Sequence, residues 1–168
     1  MSKYTLDNGK TVTLTDKQYV AEGGEGKIYN SGGLAYKVCF PGKMTDVKKL
    51  QELQVLDRPY IIAPQNILFE NKNPVGYSMK YVDTSDSFPL AQALSKSYRE
   101  REHIDNNSVI NICKKLKEGF DFVHSKKCLI VDANENNFLI SKSLDTVYFI
   151  DVNSYQTPHF NATAIMSA

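Results

Sequence analysis

The sequence predicts an α+β protein, with a β-rich first half that contains one helix and a second half that is rich in helices. Two observations carry this prediction. Short segments of alternating apolar and polar residues, separated by glycine- and asparagine-rich turns, follow one another through residues 4–82. The longest helical spacing of apolar residues comes afterwards, within residues 106–126. The pattern changes near residues 82–88, and we predict domains at 1–83 and 84–168.

The first half is predicted to consist of strands around a single helix. The segment YTLDNGKTVTL predicts a hairpin at its DNG triplet, because Asn-Gly between alternating residues favours a tight turn. Three further strands are predicted within KQYVAEGGEGKIYNSGGLAYKVCF, where two glycine clusters interrupt them. A helix is predicted over residues 44–57, with Thr45 or Asp46 as its cap. The segment YIIAPQNILFENKNPVGYSMKYVD then predicts two strands joined by the turn ENKNPVG.

The second half is predicted to begin with helices and to return to short strands. SFPLAQALSKSYRERE is predicted to be helical, and NNSVINICKKLKEGFDFVHSK gives the clearest helix. Short strands are predicted around residues 128–131, 138–140 and 147–151. The predicted apolar face of the clear helix comprises Val109, Ile112, Cys113, Leu116, Phe120 and Val123.

Composition excludes several classes of protein. The formal charge of +1 gives no electrostatic case for binding nucleic acid or an anionic membrane. No apolar run approaches the ~20 residues that span a bilayer, and the N-terminus has no apolar secretion segment. Cys39, Cys113 and Cys128 are odd in number and lack C-x-x-C spacing, which is typical of thiols in a reducing compartment. We therefore expect a cytoplasmic protein without nucleic-acid or membrane partners.

A glycine cluster and a lysine together point to a phosphate site. Gly23, Gly24 and Gly26 lie between two predicted strands, where glycine lets backbone amides approach phosphate oxygens. Taken alone, the cluster is more typical of a glycine-rich β-turn. Lys37 lies in the apolar segment LAYKVCF, where a lysine either binds an anion or extends to water from a sheet edge. Because Lys37 follows Gly26 by eleven residues, it falls on the strand after the glycine hairpin.

Two acidic residues and an amide follow short apolar runs later in the chain. Asp132 and Asp151 each end such a run within IVDANENNFLISKSLDTVYFIDVNSYQ, and Asn137 comes five residues after the first aspartate. Taken singly, Asp132 and Asn137 are typical of a self-bonded turn. Taken as an ordered set behind a glycine hairpin and Lys37, the three residues are no longer explained by such a turn alone.

The order of these features resembles the protein kinase-like superfamily. AEGGEGKIY resembles the kinase glycine loop, AYK the lysine strand, IVDANENNFLI the catalytic loop, and FIDVNSYQ the start of the activation segment. More narrowly, GGEGKIY, NENNFL and IDVNSYQ are similar to a bacterial and phage branch of serine/threonine kinase-like proteins. The resemblance covers about residues 4–168. It implies a two-lobed fold, with a β-rich N-lobe and a truncated or minimal helical C-lobe.

The resemblance implies a role for each polar residue and a site for ATP and Mg²⁺. Asp132 would accept or orient the proton of the attacking hydroxyl, and Asn134 would donate a hydrogen bond where most such kinases keep a lysine. Asn137 and Asp151 would hold Mg²⁺, and Lys37 would bind the α- and β-phosphates. The other implied nucleotide contacts are Gly23, Gly24 and Gly26 at the phosphates, Met79, Lys80, Tyr81 and Val82 at the hinge, and Ile28, Ala35 and Leu139 at the adenine ring.

Three departures from the family pattern bear on activity. Val131 stands where most kinases have the arginine of H-R-D. Lys49 stands where the glutamate partner of Lys37 is expected, and we predict that Glu52 takes that role. The chain also ends 17 residues after Asp151, so it is either a fragment of a longer protein or a minimal kinase-like protein. Its apolar end, ATAIMSA, either docks on a partner or is disordered.

The resemblance implies an ATP- and Mg²⁺-dependent protein serine/threonine kinase that acts on a protein substrate. One alternative is a pseudokinase-like module that binds nucleotide and acts through a protein partner. Another is a small-molecule phosphotransferase, although this chain leaves little room for the substrate-binding helices of such enzymes. The sequence leaves the oligomeric state open.

Overall fold

A computed structural model describes residues 1–162 as an α+β protein. Residues 163–168, which hold most of the ATAIMSA segment, lie outside this described part. No helix within residues 1–162 is both long and apolar enough to cross a membrane. The described strands are β1 (Ser2–Leu6), β2 (Thr11–Leu14), β3 (Tyr19–Glu22), β4 (Gly26–Ser31), β5 (Leu34–Cys39), β6 (Asn66–Glu70), β7 (Asn73–Lys80), β8 (Ser87–Pro89), β9 (Phe138–Ser141) and β10 (Val147–Phe149). The described α-helices are α1 (Val47–Leu53), α2 (Leu90–Leu94), α3 (Lys96–Arg101) and α4 (Asn106–Ser125).

The chain divides into two compact units. Unit 1 comprises Met1–Gln54 and Ala63–Val82, and unit 2 comprises Val55–Ile62 and the chain from Asp83 onward. The short segment Val55–Ile62 belongs to unit 2 because its backbone bonds to the end of β10. There the Phe149 N–H donates to the Tyr60 carbonyl (2.8 Å), and the Ile62 N–H donates to the Phe149 carbonyl (2.9 Å).

Unit 1 is built on a seven-stranded antiparallel sheet in the order β2-β1-β6-β7-β5-β4-β3. The predicted hairpin at the DNG triplet is confirmed, and Gly9 takes the positive φ (+81°) that its turn requires. The predicted turn ENKNPVG was too long. Only Asn71 and Lys72 lie outside the strands, and both have positive φ (49° and 69°), as a two-residue hairpin turn demands.

Helix α1 is shorter than the predicted 44–57 segment. Its cap is Asp46, whose side chain accepts a hydrogen bond from the Lys48 N–H (2.8 Å). Leu50 and Leu53 are fully buried. Leu56 is also buried but lies beyond the helix, because the chain has by then entered unit 2.

Helix α4, with 20 residues, is the longest described helix of unit 2. It begins after Asp105, whose side chain accepts a hydrogen bond from the Ser108 N–H (2.7 Å). Its buried residues are Ile112, Gly119 and Val123. Cys113, predicted on the same face, is exposed, so this part of the prediction was wrong.

A small three-stranded antiparallel sheet, in the order β10-β9-β8, completes unit 2. Ser87–Pro89 forms strand β8, so the segment predicted to be wholly helical begins as a strand and continues as α2 and α3. The strand predicted at 128–131 was also wrong. In the described structure that segment contributes only an isolated bridge between Leu129 and Gln156, because no neighbouring strand pairs with its remaining residues.

Candidate functional site

The polar residues at the ends of β9 and β10 lie close together because the two strands form a register-matched pair. Phe138 pairs with Phe149, so the residue before β9 and the residue after β10 share one end of the sheet. There the Ile150 N–H donates to the Asn137 carbonyl at 3.0 Å. Asp151 follows directly, so the structure places the two predicted metal-binding residues at the same end of one strand pair.

The Asp132 carboxylate is held by two asparagine side chains. Asn134 Nδ2 donates to both carboxylate oxygens, at 3.0 and 3.1 Å. Asn137 Nδ2 donates to one of those oxygens at 3.0 Å and to the Asp132 backbone carbonyl at 2.9 Å. A carboxylate has about four lone-pair directions, and three of them are taken here. One direction remains for a hydroxyl group from outside the loop.

The loop that carries this network is itself locked by a short 3₁₀ turn, Glu135–Asn137. Asn134 precedes the turn, and its side-chain oxygen accepts the Asn136 N–H at 2.9 Å. The amide of Asn134 therefore bonds forward to the turn and back to Asp132. Asn137 uses its Nδ2 on Asp132, which leaves Oδ1 as the atom that a cation would contact.

Asp151 has a strained backbone, in the left-handed region with φ of 56°. Its carbonyl accepts bonds from the Ser154 N–H (3.0 Å) and the Ser154 hydroxyl (2.8 Å), which fix the 3₁₀ turn Val152–Ser154. A non-glycine residue in this region costs free energy, and such residues cluster at functional sites. Burial raises the pKa of the nearby Tyr155 hydroxyl, and the charge of Asp151 raises it further. Tyr155 therefore stays neutral beside Asp151.

Aromatic packing anchors these polar residues to helix α4. The rings of Phe120, Phe138 and Phe149 form a triad with centroid separations of 5.0–5.8 Å. Gly119 admits the Phe149 ring, since a Cβ atom at this position would lie 2.2 Å from Phe149 Cζ. Phe138, directly after Asn137, and Phe149, two residues before Asp151, are thus packed in an aromatic core.

In unit 1, the predicted phosphate-binding glycines form a hairpin that is fixed on one side. Gly26 lies so close to β5 that a Cβ atom would come within 2.3 Å of the Val38 carbonyl oxygen. The Gly23 N–H donates to the Gly26 carbonyl (3.0 Å), and the Phe40 N–H donates to the Glu25 carbonyl (2.8 Å). Gly23 and Gly24, by contrast, have open space where a Cβ would lie.

Lys37 lies on β5, an interior strand between β4 and β7, so the sheet-edge interpretation of this lysine was wrong. Its side chain is only 12% exposed, and its amine contacts the Glu25 carboxylate of the glycine hairpin. The amine also lies 5.8 Å from the centre of the Tyr77 ring. Sequence reasoning assigned no role to Glu25, although a charged residue among three glycines was a usable signal.

Helix α1 carries both Lys49 and Glu52. Lys49 is buried at 2% exposure, and Glu52 lies three residues further along α1. The pairing of Glu52 with Lys37 stays a prediction.

The predicted hinge residues continue strand β7. Met79 pairs with Ala35, Lys80 pairs with Leu34, and the Tyr81 N–H donates to the Gly33 carbonyl at 3.3 Å. Val82 is the last residue of unit 1.

The residues predicted at the adenine ring come from both units. Ala35 is buried, and Ile28 lies on β4 opposite Lys37. Leu139 belongs to unit 2, where it lines a groove of about 940 Å³ together with Phe88 and Tyr98.

The oxygen donors of Asn137 and Asp151 suit Mg²⁺ better than they suit a metal ion that is bound by protein side chains alone. The described residues contain no group of three or more His, Cys, Asp or Glu side chains able to hold a metal ion. Mg²⁺ does not need one, because it is usually bound by one or two carboxylates together with waters and substrate phosphates. One carboxylate and one amide oxygen meet that requirement.

Comparison with known proteins adds no family assignment. No protein-family model matches this chain, and no curated protein matches it either.

Proposed function

We propose that this chain is an ATP- and Mg²⁺-dependent protein serine/threonine kinase with a two-lobed, kinase-like fold. The observation that carries the proposal is the Asp132 carboxylate, held by the amides of Asn134 and Asn137, with the Asn137 carbonyl bonded to the residue before Asp151. Phosphoryl transfer needs positioned charge more than covalent chemistry from the protein, and a carboxylate fixed with one free lone-pair direction provides it. A cytoplasmic location is part of the proposal.

Each residue has a defined role in this proposal. Asp132 accepts a hydrogen bond from the serine or threonine hydroxyl of a protein substrate, orients its oxygen, and takes up its proton. Asn134 keeps the Asp132 carboxylate in that orientation. Asn137 and Asp151 would hold Mg²⁺ through oxygen atoms, and the cation would neutralise charge on the phosphates. Lys37 contacts phosphate oxygens, assisted by the amides of the glycine hairpin.

A second candidate function is a nucleotide-binding module that acts through a protein partner. The contact between Lys37 and Glu25 favours it. A lysine whose charge is already balanced by a carboxylate gives less electrostatic stabilisation to a phosphoryl group in transfer. Binding would survive this loss better than catalysis would.

The test is phosphate incorporation from ATP labelled at the γ position, into the chain itself and into a basic protein substrate. We expect the wild type to label and Asp132→Asn to lose at least about a hundredfold in rate, since the general base is removed. Both proteins should show the same ATP-dependent rise in melting temperature, because Asp132 contacts the hydroxyl and not the nucleotide. The melting temperature without nucleotide checks that Asp132→Asn is folded.

Two results would change the conclusion. A wild type that binds Mg²⁺–ATP but labels no protein leaves the nucleotide-binding module as the function. Equal labelling by the wild type and by Asp132→Asn would remove Asp132 from the chemistry.

A further inference from the structure

Glu25 contacts the one residue of unit 1 that is proposed to carry positive charge to the nucleotide. We propose that Glu25 is an internal counter-anion: its carboxylate occupies the Lys37 amine in the ligand-free protein and sets how tightly a phosphate group binds there. The inference rests on the proposed function in one respect, which is that Lys37 receives nucleotide phosphates.

The backbone of the glycine hairpin positions Glu25 for its contact with Lys37. The Glu25 carbonyl accepts the Phe40 N–H at 2.8 Å, which ties this residue to the chain just after β5. Gly26, the next residue, has no room for a side chain against Val38. The backbone of Glu25 is therefore fixed, and its side chain reaches Lys37 from a fixed position.

The two partners differ in how easily they leave the contact. The Lys37 side chain is 12% exposed and extends from an interior strand, whereas the Glu25 side chain is 46% exposed. Because the carboxylate already borders water, it can turn outward and be solvated, while the amine stays in place. A carboxylate and a phosphate that contact the same amine carry like charges and repel each other. An arriving phosphate therefore displaces the Glu25 side chain. The free energy of breaking this ion pair then weakens phosphate binding.

The same hairpin offers a matched control. Glu22 and Lys27 form an ion pair with a 3.6 Å separation, and both side chains are nearly half exposed. Glu22→Gln removes the same charge as Glu25→Gln, a few residues away, without touching the Lys37 amine. Any general effect of one less negative charge on nucleotide affinity should appear equally in both variants.

Calorimetric titration with Mg²⁺–ATP measures the effect directly. We expect Glu25→Gln to tighten binding by about three- to fivefold, the upper part of the range for an ion pair with a half-exposed partner. Glu22→Gln should stay within about twofold of the wild type, as exposed pairs contribute little. In a Lys37→Met background, Glu25→Gln should bring no gain, because the amine for which it competes is absent.

A second measurement needs no nucleotide. The Glu25 carboxylate contacts the Lys37 amine, so removing its charge should release the amine for reaction with an external reagent. Acetylation with an amine-reactive ester, followed residue by residue with mass spectrometry, should therefore modify Lys37 faster in Glu25→Gln than in the wild type. The rate at Lys27 should be the same in these two proteins.

The outcomes separate this inference from the proposed function. If the wild type binds Mg²⁺–ATP and Glu25→Gln binds no tighter, or Glu22→Gln tightens as much, the counter-anion role is overturned and the nucleotide site stands. If neither the wild type nor Glu25→Gln binds, both proposals fail. An unchanged acetylation rate at Lys37 overturns the contact itself.

Discussion

The glycine hairpin of unit 1 and the Asp132 loop of unit 2 are fixed in opposite ways. The hairpin is held by its backbone, through Gly26 pressed against β5 and the Glu25 carbonyl bonded to Phe40. The Asp132 loop is held by its side chains, through the amides of Asn134 and Asn137. The first arrangement leaves open space at Gly23 and Gly24, whereas the second fixes the Asp132 carboxylate itself.

This difference suits the two roles that the proposed function gives to these loops. In the proposed function the hairpin covers phosphates and has to admit and release a ligand, and open space at Gly23 and Gly24 above a fixed base suits that role. A carboxylate that orients a hydroxyl has to stay within ~0.5 Å of its place, and side-chain bonds to it achieve that. Different substitutions should therefore destabilise the hairpin and the Asp132 loop.

The largest effect on stability is expected at the base of the hairpin. Gly26→Ala places a Cβ atom against the Val38 and Cys39 backbone, which cannot move without separating β4 from β5. We expect a loss of about 2–3 kcal/mol in the free energy of unfolding. Gly24→Ala, where nothing lies within 4 Å, should change it by less than about 0.5 kcal/mol. Denaturant titration of both variants checks this, and equal losses would mean that the base is not what fixes the hairpin.

A smaller effect is expected when one amide is removed from the Asp132 loop. Asn137→Ala deletes two hydrogen bonds, one of them to a carboxylate oxygen, and should cost about 1–2 kcal/mol. Asn136→Ala is the matched control, because Asn136 is exposed and takes part in the network through its backbone N–H alone. Thermal unfolding of the two variants gives the difference. A control that is as unstable as Asn137→Ala would show that the loop is not held by side chains.

The smallest effect is an acid sensitivity of unit 2. Hydrogen bonds from Ser85, Ser108 and Ser143 lower the pKa values of Asp83, Asp105 and Asp145, and all three aspartates lie in unit 2. A carboxyl whose pKa is lower in the folded state stabilises it above the unfolded pKa, here 3.8, and loses that contribution as the pH falls further.

Hydrogen exchange between pH 5 and pH 3 should therefore show protection falling in α4, whose cap is Asp105. In Asp105→Asn the amide can still cap the helix, so this fall should become shallower. An identical pH profile in the variant would remove the cap from the explanation.

Turn and cap chemistry explains which parts of the fold the sequence could predict. The DNG hairpin and the Asp46 cap depend on a few adjacent residues, so they were predictable. The strand at 128–131 was not, because an apolar run becomes a strand only when another strand pairs with it. Cys113 was misplaced because spacing alone does not reveal that Phe149 packs against Gly119, on another face of the helix.

The candidate site shows the same limit. The residues of the Asp132 loop lie within six positions of one another, so their contacts follow from local turn chemistry. The Lys37 to Glu25 contact spans a hairpin and depends on strand register, which spacing does not fix. Sequence reasoning therefore looked for the lysine's partner on helix α1.

The most direct test of the account is the effect of Mg²⁺–ATP on the melting temperature of the wild type and of two aspartate variants. Asp151→Ala removes the proposed metal ligand, and Asp145→Asn changes a carboxyl in the turn at the opposite end of the β9–β10 pair. At a nucleotide concentration a hundred times Kd, we expect a rise of about 5 °C or more in the wild type and in Asp145→Asn, and none in Asp151→Ala. A wild type that melts at the same temperature with and without saturating Mg²⁺–ATP would contradict the nucleotide site on which the account depends.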